Sequence, residues 1–188
     1  MRASVWAMCA FLRFGLLFYL AAGVCLAATL EQMSLDDLIQ KSTSIVRGRA
    51  VSSHTVQDGA LIYTMHRFEV AERWKGAAAG EVEIALPGGS VGGVQQRFGG
   101  VPQMEAGREF VVFLWQGPSG RTQITGLSQG LFEVSRSSGS AVVRRKPNAD
   151  VVIAPKGNVV ENAAIEMPLA DLAARIRRLL QSGRPATP

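Results

Sequence analysis

The sequence predicts a mainly β domain: a small antiparallel barrel, closed or partly closed, of about six strands, with a short helix before it and an amphipathic helix after it. Three observations predict it. Short runs of alternating apolar and polar residues recur, with turn residues between them. Helical spacing of apolar residues occurs only near the two ends of the folding part. No strand–helix–strand alternation appears, which argues against a doubly wound parallel sheet and leaves a β-sandwich as the alternative.

The first helix is expected over residues 30–41. Ser34 can cap it with Asp37 three residues on, a capping-box pattern, and Leu35, Leu38 and Ile39 share one face. Ser44 to His54 is extended and rich in β-branched residues. Leu61 to Trp74 follows as a second strand, with Ile62, Phe68, Val70 and Trp74 on one parity and Arg67, Glu69 and Arg73 on the other. Gln57-Asp58-Gly59 is the expected hairpin turn between them. Glu81 to Leu86 alternates as a third strand. Pro87 to Gly107 is the least regular stretch, with seven glycines in 21 positions. Glu109 to Trp115 is apolar after its first residue and reads as a central strand buried on both faces. Thr122 to Leu127 and Leu131 to Ser135 are further strands, and Ala141 to Arg145 is an edge strand. Residues 146–167 read as a loop with one weak strand near Val151 to Ile153. Pro168 suits the first position of the last helix. Leu169, Leu172, Ala173, Ile176, Leu179 and Leu180 then repeat at helical spacing. Gly183 and Pro185 end it, and residues 183–188 are expected to be a disordered tail.

Ahead of these elements lies an apolar run of 13 residues, Phe14 to Leu26, preceded by Arg2 and Arg13. A secretory core segment is about 7 to 15 residues and a membrane span about 20. Small residues at Cys25 and Ala27 place signal cleavage after Ala27. Residues 1–27 are therefore expected to be a cleaved signal peptide and residues 28–182 a single mainly β domain, secreted or periplasmic, with no membrane span after cleavage. The alternative is membrane anchoring by an uncleaved segment, since Val5 to Thr29 is apolar apart from Arg13. Both cysteines, Cys9 and Cys25, lie in the signal. The remaining 161 residues carry 18 basic and 15 acidic side chains, so the whole-chain charge of +5 falls to +3.

Composition narrows the function. Hydrophobic residues are 47% and charged residues 19% of 188, which excludes a mainly disordered chain. The length is below the roughly 200 to 250 residues of a (β/α)8 barrel. A thiol-free mature chain excludes a disulfide scaffold and a cysteine zinc site. Arginines are scattered apart from Arg144-Arg145-Lys146 and the last helix, so nucleic acid is not an expected partner.

The glycine-rich stretch is the candidate binding loop, through Gly88, Gly89, Ser90, Gly92, Gly93, Gln95, Arg97 and Phe98. It matches no phosphate-cradling pattern, because the following segment is a strand. Ser90 lacks the G-x-S-x-G context of a nucleophile elbow. His54 and His66 are the only histidines and read as exposed strand residues. A metal site would need a third ligand such as Asp58 or Glu69. No catalytic residue, cofactor site or metal site is expected.

The segments TSIVRGRAVSSHT, IYTMHRFEVAERWKG, EVEIALPGG, VPQMEAGREFVVFLW and ITGLSQGLFEV resemble, over about residues 33–135, a group of secreted bacterial β-domain proteins that carry no assigned activity. More distantly, Ile45 to Val51, Phe68 to Gly76 and Gly107 to Leu114 resemble the netrin-like module of metalloproteinase inhibitors. That resemblance implies an OB-type barrel. The inhibitors' N-terminal cysteine and disulfides have no counterpart in residues 28–188. The expected function is an exported, non-enzymatic module binding a protein or cell-envelope component. The alternatives are a small hydrolase with its site in the glycine-rich loop, or an accessory or inhibitory domain acting on a secreted protease.

Overall fold

A computed structural model describes residues 30–77, 80–137, 139–146, 152–153, 159–160 and 164–183. The expected signal peptide (1–27) and residues 184–188 of the expected tail lie outside the described residues. So do 147–151, 154–158 and 161–163 of the expected loop.

The capping box starts the first helix five residues later than the pattern suggested. Residues Leu30–Glu31 form a short strand, β1, and helix α1 spans Leu35–Lys41. The Ser34 hydroxyl accepts from the Asp37 N–H at 3.1 Å, and the Asp37 carboxylate accepts from the Ser34 N–H at 3.2 Å. Two long strands follow, β2 (Ser44–Asp58) and β3 (Leu61–Lys75), then β4 (Glu81–Pro87). The hairpin turn sits one residue beyond the expected one. Asp58 pairs with Leu61, and Gly59 takes φ +59° at the first turn position.

Three bulges, at Val51, Ala71 and Trp74, interrupt the β2–β3 register. A one-residue bulge sends the side chains beyond it to the other face. Phe68 and Val70 therefore pack on one side of the sheet and Trp74 on the other, although the sequence gives them one parity. At the middle bulge, Gly48 is required by close approach: a Cβ there would run into the Glu69 carbonyl oxygen and the Phe68 ring. Lys75 ends β3 by donating to the Ile39 and Gln40 carbonyls at 2.6 and 2.9 Å. These are last-turn carbonyls of α1, where a cation suits the helix dipole.

The remaining elements are β5 (Gly89–Val91), β6 (Val94–Gln96), β7 (Glu109–Gln116), β8 (Thr122–Ile124), a 3-10 turn Leu127–Gly130, β9 (Leu131–Ser137), β10 (Ser140–Arg145), β11 (Val152–Ile153), β12 (Val159–Val160), β13 (Ile165–Pro168) and α2 (Leu169–Ser182). The expected strand Thr122 to Leu127 stops at Ile124, because Gly126 and Leu127 take φ of +65° and +53°. Pro168 closes β13 and precedes the helix rather than opening its first turn.

The fold is mainly β, with antiparallel pairing in the main sheet and two helices. The strands do not close into the expected six-stranded barrel. They form an eight-stranded sheet in the order β13-β10-β9-β7-β2-β3-β4, with β8 on the outer end of β7. Among the described strands, β4 and β13 each have one partner, so the sheet is open. Its centre is β7, buried on both faces as expected. Val111 and Phe113 point to one apolar cluster with Phe132 of β9 and with Leu38, Ile39, Leu172 and Ile176 of the two helices. Phe110, Val112 and Leu114 point to a second, with Phe68, Ile84, Leu86, Met104 and Ile124. One sheet thus serves two cores. Around the second core the sheet curls until β4 runs near β8, with no ladder between them.

Half-buried charges tie the strands on the helix side. Arg47 donates to Glu109 at 2.7 Å and to Glu72 at 2.5 Å, and Arg136 pairs with Glu109 at 2.8 Å. Burial pushes the Glu109 carboxyl up, but the hydrogen bonds and charges of Arg47 and Arg136 outweigh it and hold it below its ordinary range.

Candidate functional site

The glycine-rich stretch is not a loose loop. Gly92 and Gly93, at φ +57° and +82°, make the two-residue turn of the β5–β6 hairpin, in which Ser90 pairs with Gln95. Such a turn favours glycine because both positions are left-handed. The hairpin docks on the outer half of β2–β3. Thr55 Oγ1 donates to the Ser90 carbonyl at 2.9 Å, and Thr64 Oγ1 to the Gly88 carbonyl at 2.8 Å. Gln96 locks it: its Oε1 accepts from the Ile62 N–H at 2.8 Å, and its Nε2 donates to the Ala60 carbonyl at 2.7 Å. Gly89 has φ +139°, and a Cβ there would lie 2.8 Å from Thr55 Cγ2 and 2.9 Å from Thr64 Oγ1.

After the hairpin, residues 97–108 fold back over the second core. The Gly107 N–H donates to the Ala50 carbonyl at 2.7 Å, and the Ser128 N–H donates to the Gly100 carbonyl at 3.0 Å. Met104, 6% exposed, drives its side chain into the core between these ties. This flap leaves an open cleft of about 510 Å³ between itself, the hairpin, and strands β3 and β4. On the flap's other side, a smaller cleft of about 330 Å³ lies against Phe110 and Leu131, with Glu133, Arg144 and Lys146 at its edge. Val101, Gln103 and Glu105 border both.

Of the expected binding residues, Gly88, Gly89, Gln95, Arg97 and Phe98 line the larger cleft; Ser90, Gly92 and Gly93 do not. Ser90 lies on β5, where its carbonyl accepts from Thr55, and it does not line the cleft with His66. The expectation of two exposed histidines fails for one. His54 is exposed, but His66 is 7% exposed and lines the cleft. His54 lies opposite Met65 and His66 opposite Ser53, so the two rings leave opposite faces of the hairpin. Among the described residues, no group of three or more His, Cys, Asp or Glu is placed to hold a metal ion. Burial lowers the His66 pKa from its usual 6.5, which keeps the ring neutral near pH 7.

The sequence reading missed His66, Gln96, Gln103, Met104 and Glu105 as cleft residues. Alternation marks His66 as sharing the parity of Phe68 and Ile62, which was the available signal. For the flap residues no local pattern exists, because their position depends on the core beneath them.

The cleft has the size of a ligand site. Its floor is apolar, from Leu86, Met104 and Val101, and Phe98 is 43% exposed at its edge. No family model, no curated protein and no solved structure matches the chain.

Proposed function

We propose that this protein is an exported, non-enzymatic binding module whose ligand site is the cleft between the glycine-rich hairpin and the flap. The observation that carries the reading is His66: a nearly buried imidazole, its ring without a hydrogen bond among the described residues, set into the wall of a 510 Å³ cleft. A buried polar group is ordinarily paired, so one left facing a cavity is a place for a ligand to bond. The partner belongs to the cell envelope, in keeping with export through the apolar segment ahead of Ala28. A chain starting near Ala28 keeps the Glu31 and Met33 backbone contacts to Gln129 at 2.8 and 2.7 Å.

An OB-type core is the matching reading of the fold. It is supported by the strand order β4-β3-β2-β7-β8 around the second core and by the approach of β8 to β4.

Two measurements test this. The mass of the exported protein should correspond to a start near Ala28, and an intact Met1 overturns the export step. Adding solubilised envelope extract to isotope-labelled protein should shift amide signals of residues 95–105 and His66 while leaving α2 unmoved. Binding that leaves those signals unmoved overturns the site.

A further inference from the structure

The polar groups lining the cleft divide into those already engaged and those unengaged. Gln96 uses both ends of its amide on the β2–β3 hairpin, and Thr64 uses its hydroxyl on Gly88. The side chains of His66, Gln95, Arg97, Gln103 and Glu105 make no hydrogen bond or ion pair among the described residues; all but His66 are exposed. His66 is the most telling, because it is 7% exposed and lines the cleft.

The unengaged groups have a common chemistry. A neutral imidazole and the two glutamine amides each offer both a donor and an acceptor. A hydroxyl does the same and so satisfies either side of each. Arg97 and Glu105 carry one charge of each sign, so the cleft holds no net field that selects an ion. Guanidinium and carboxylate are two-pronged groups, able to bind two neighbouring oxygens at once. Five such side chains line a space of about 510 Å³. Beside them, the exposed Phe98 and the half-buried Val101 offer apolar surface for flat, C–H-rich ring faces.

We propose that the cleft binds an uncharged oligosaccharide, with His66, Gln95 and Gln103 bonding its hydroxyls and Phe98 packing on a sugar ring. The proposal rests on the cleft being the protein's binding site. The test titrates isotope-labelled exported chain with maltotriose, cellotriose and the trimer of N-acetylglucosamine. At least one should give saturable shifts at His66, Gln95, Phe98 and Gln103. Phe98→Ala, at an exposed position, and His66→Leu should each weaken binding about tenfold. His66→Gln keeps a donor and an acceptor and should bind within about threefold of the parent. Thermal melts of all three variants separate lost binding from lost fold. If the zwitterionic tripeptide Ala-Phe-Ala shifts these signals and no trisaccharide does, the sugar assignment is overturned and the binding site stands. If the cleft signals ignore sugars, tripeptide and envelope extract alike, both are overturned.

Discussion

Met104 decides whether the cleft has a floor. It is the one flap side chain buried in the second core, 6% exposed among Ile84, Leu86 and Phe110. Met104→Ala removes three heavy atoms from that core. The lost transfer energy is about 2 kcal/mol at roughly 0.8 kcal/mol per methylene-sized group. Met-to-Ala changes in cores cost about 2–5 kcal/mol once the cavity is counted. The low end applies here, because the site borders an open cleft and the backbone ties at Gly100 and Gly107 remain. The expected loss is therefore about 2–3 kcal/mol, or a drop in Tm of roughly 4–12 °C for a domain of this size.

Urea unfolding followed by circular dichroism measures the loss, with Met104→Leu as the control. Leucine nearly conserves the volume and should cost less than about 1.5 kcal/mol. The loss should also be local at first: amides of residues 101–105 should exchange faster in Met104→Ala than those of β7. A Met104→Ala protein within about 0.5 kcal/mol of the parent, or a Leu variant as unstable as the Ala variant, refutes the argument that this side chain pins the flap.

The hairpin has its own test. Gly89→Ala forces a left-handed residue against Thr55 and Thr64 and should cost about 2 kcal/mol or more, while Gly92→Ala, at φ +57° with open space around it, should cost about 1 kcal/mol; equal costs in urea melts refute the docking. Gln129 is fully buried and holds the Met33 N–H and the Glu31 carbonyl. Gln129→Ala should cost about 2–3 kcal/mol and raise the exchange rate of the Met33 amide above its neighbours; unchanged protection there contradicts the anchor. His66 gives a pH dependence. Its folded pKa is lowered by burial, so the unfolded chain binds the proton more readily, and stability falls as pH drops below about 6.5 toward the folded value. His66→Gln should remove that part of the slope between pH 7.5 and 5.5, and identical slopes in both proteins dismiss it.

Elements whose physics is local were legible in the sequence. The Ser34–Asp37 cap, the alternation of Glu81 to Leu86, the doubly buried run from Phe110 to Leu114, and the helical spacing from Leu169 to Leu180 each set their own geometry within a few residues. Elements set by distant partners were not. The parity of β3 reads as unbroken, yet bulges at Ala71 and Trp74 swing Trp74 to the helix side, and only the pairing with β2 defines them. Leu30 and Glu31 pair with Val152 and Ile153 across more than a hundred residues, which no window on the N-terminal segment contains. The open edge of the sheet was not legible for the same reason: strand count and alternation are local, while the division of one sheet between two cores depends on where both helices land.

The site divides along this line too. The glycines marked the right segment, but for turn and contact reasons, so the residues they drew attention to are partly scaffold. Gly92 and Gly93 make the turn, and Gly88 and Gly89 let the hairpin lie against Thr55 and Thr64. The motifs behind the family resemblance behave alike: Gly48 permits the bulge, Lys75 closes α1, and Gly76 at φ +78° leaves no room for a Cβ beside Thr43 and Ser44. Such residues define a fold rather than an activity. The cleft side chains left without a hydrogen bond or ion pair among the described residues are His66, Gln95, Arg97, Gln103 and Glu105, and these stand in no recognisable spacing. A ligand-bonding group is set apart by what it does not bond within the protein, and that is visible only after every other hydrogen bond of the fold has been placed.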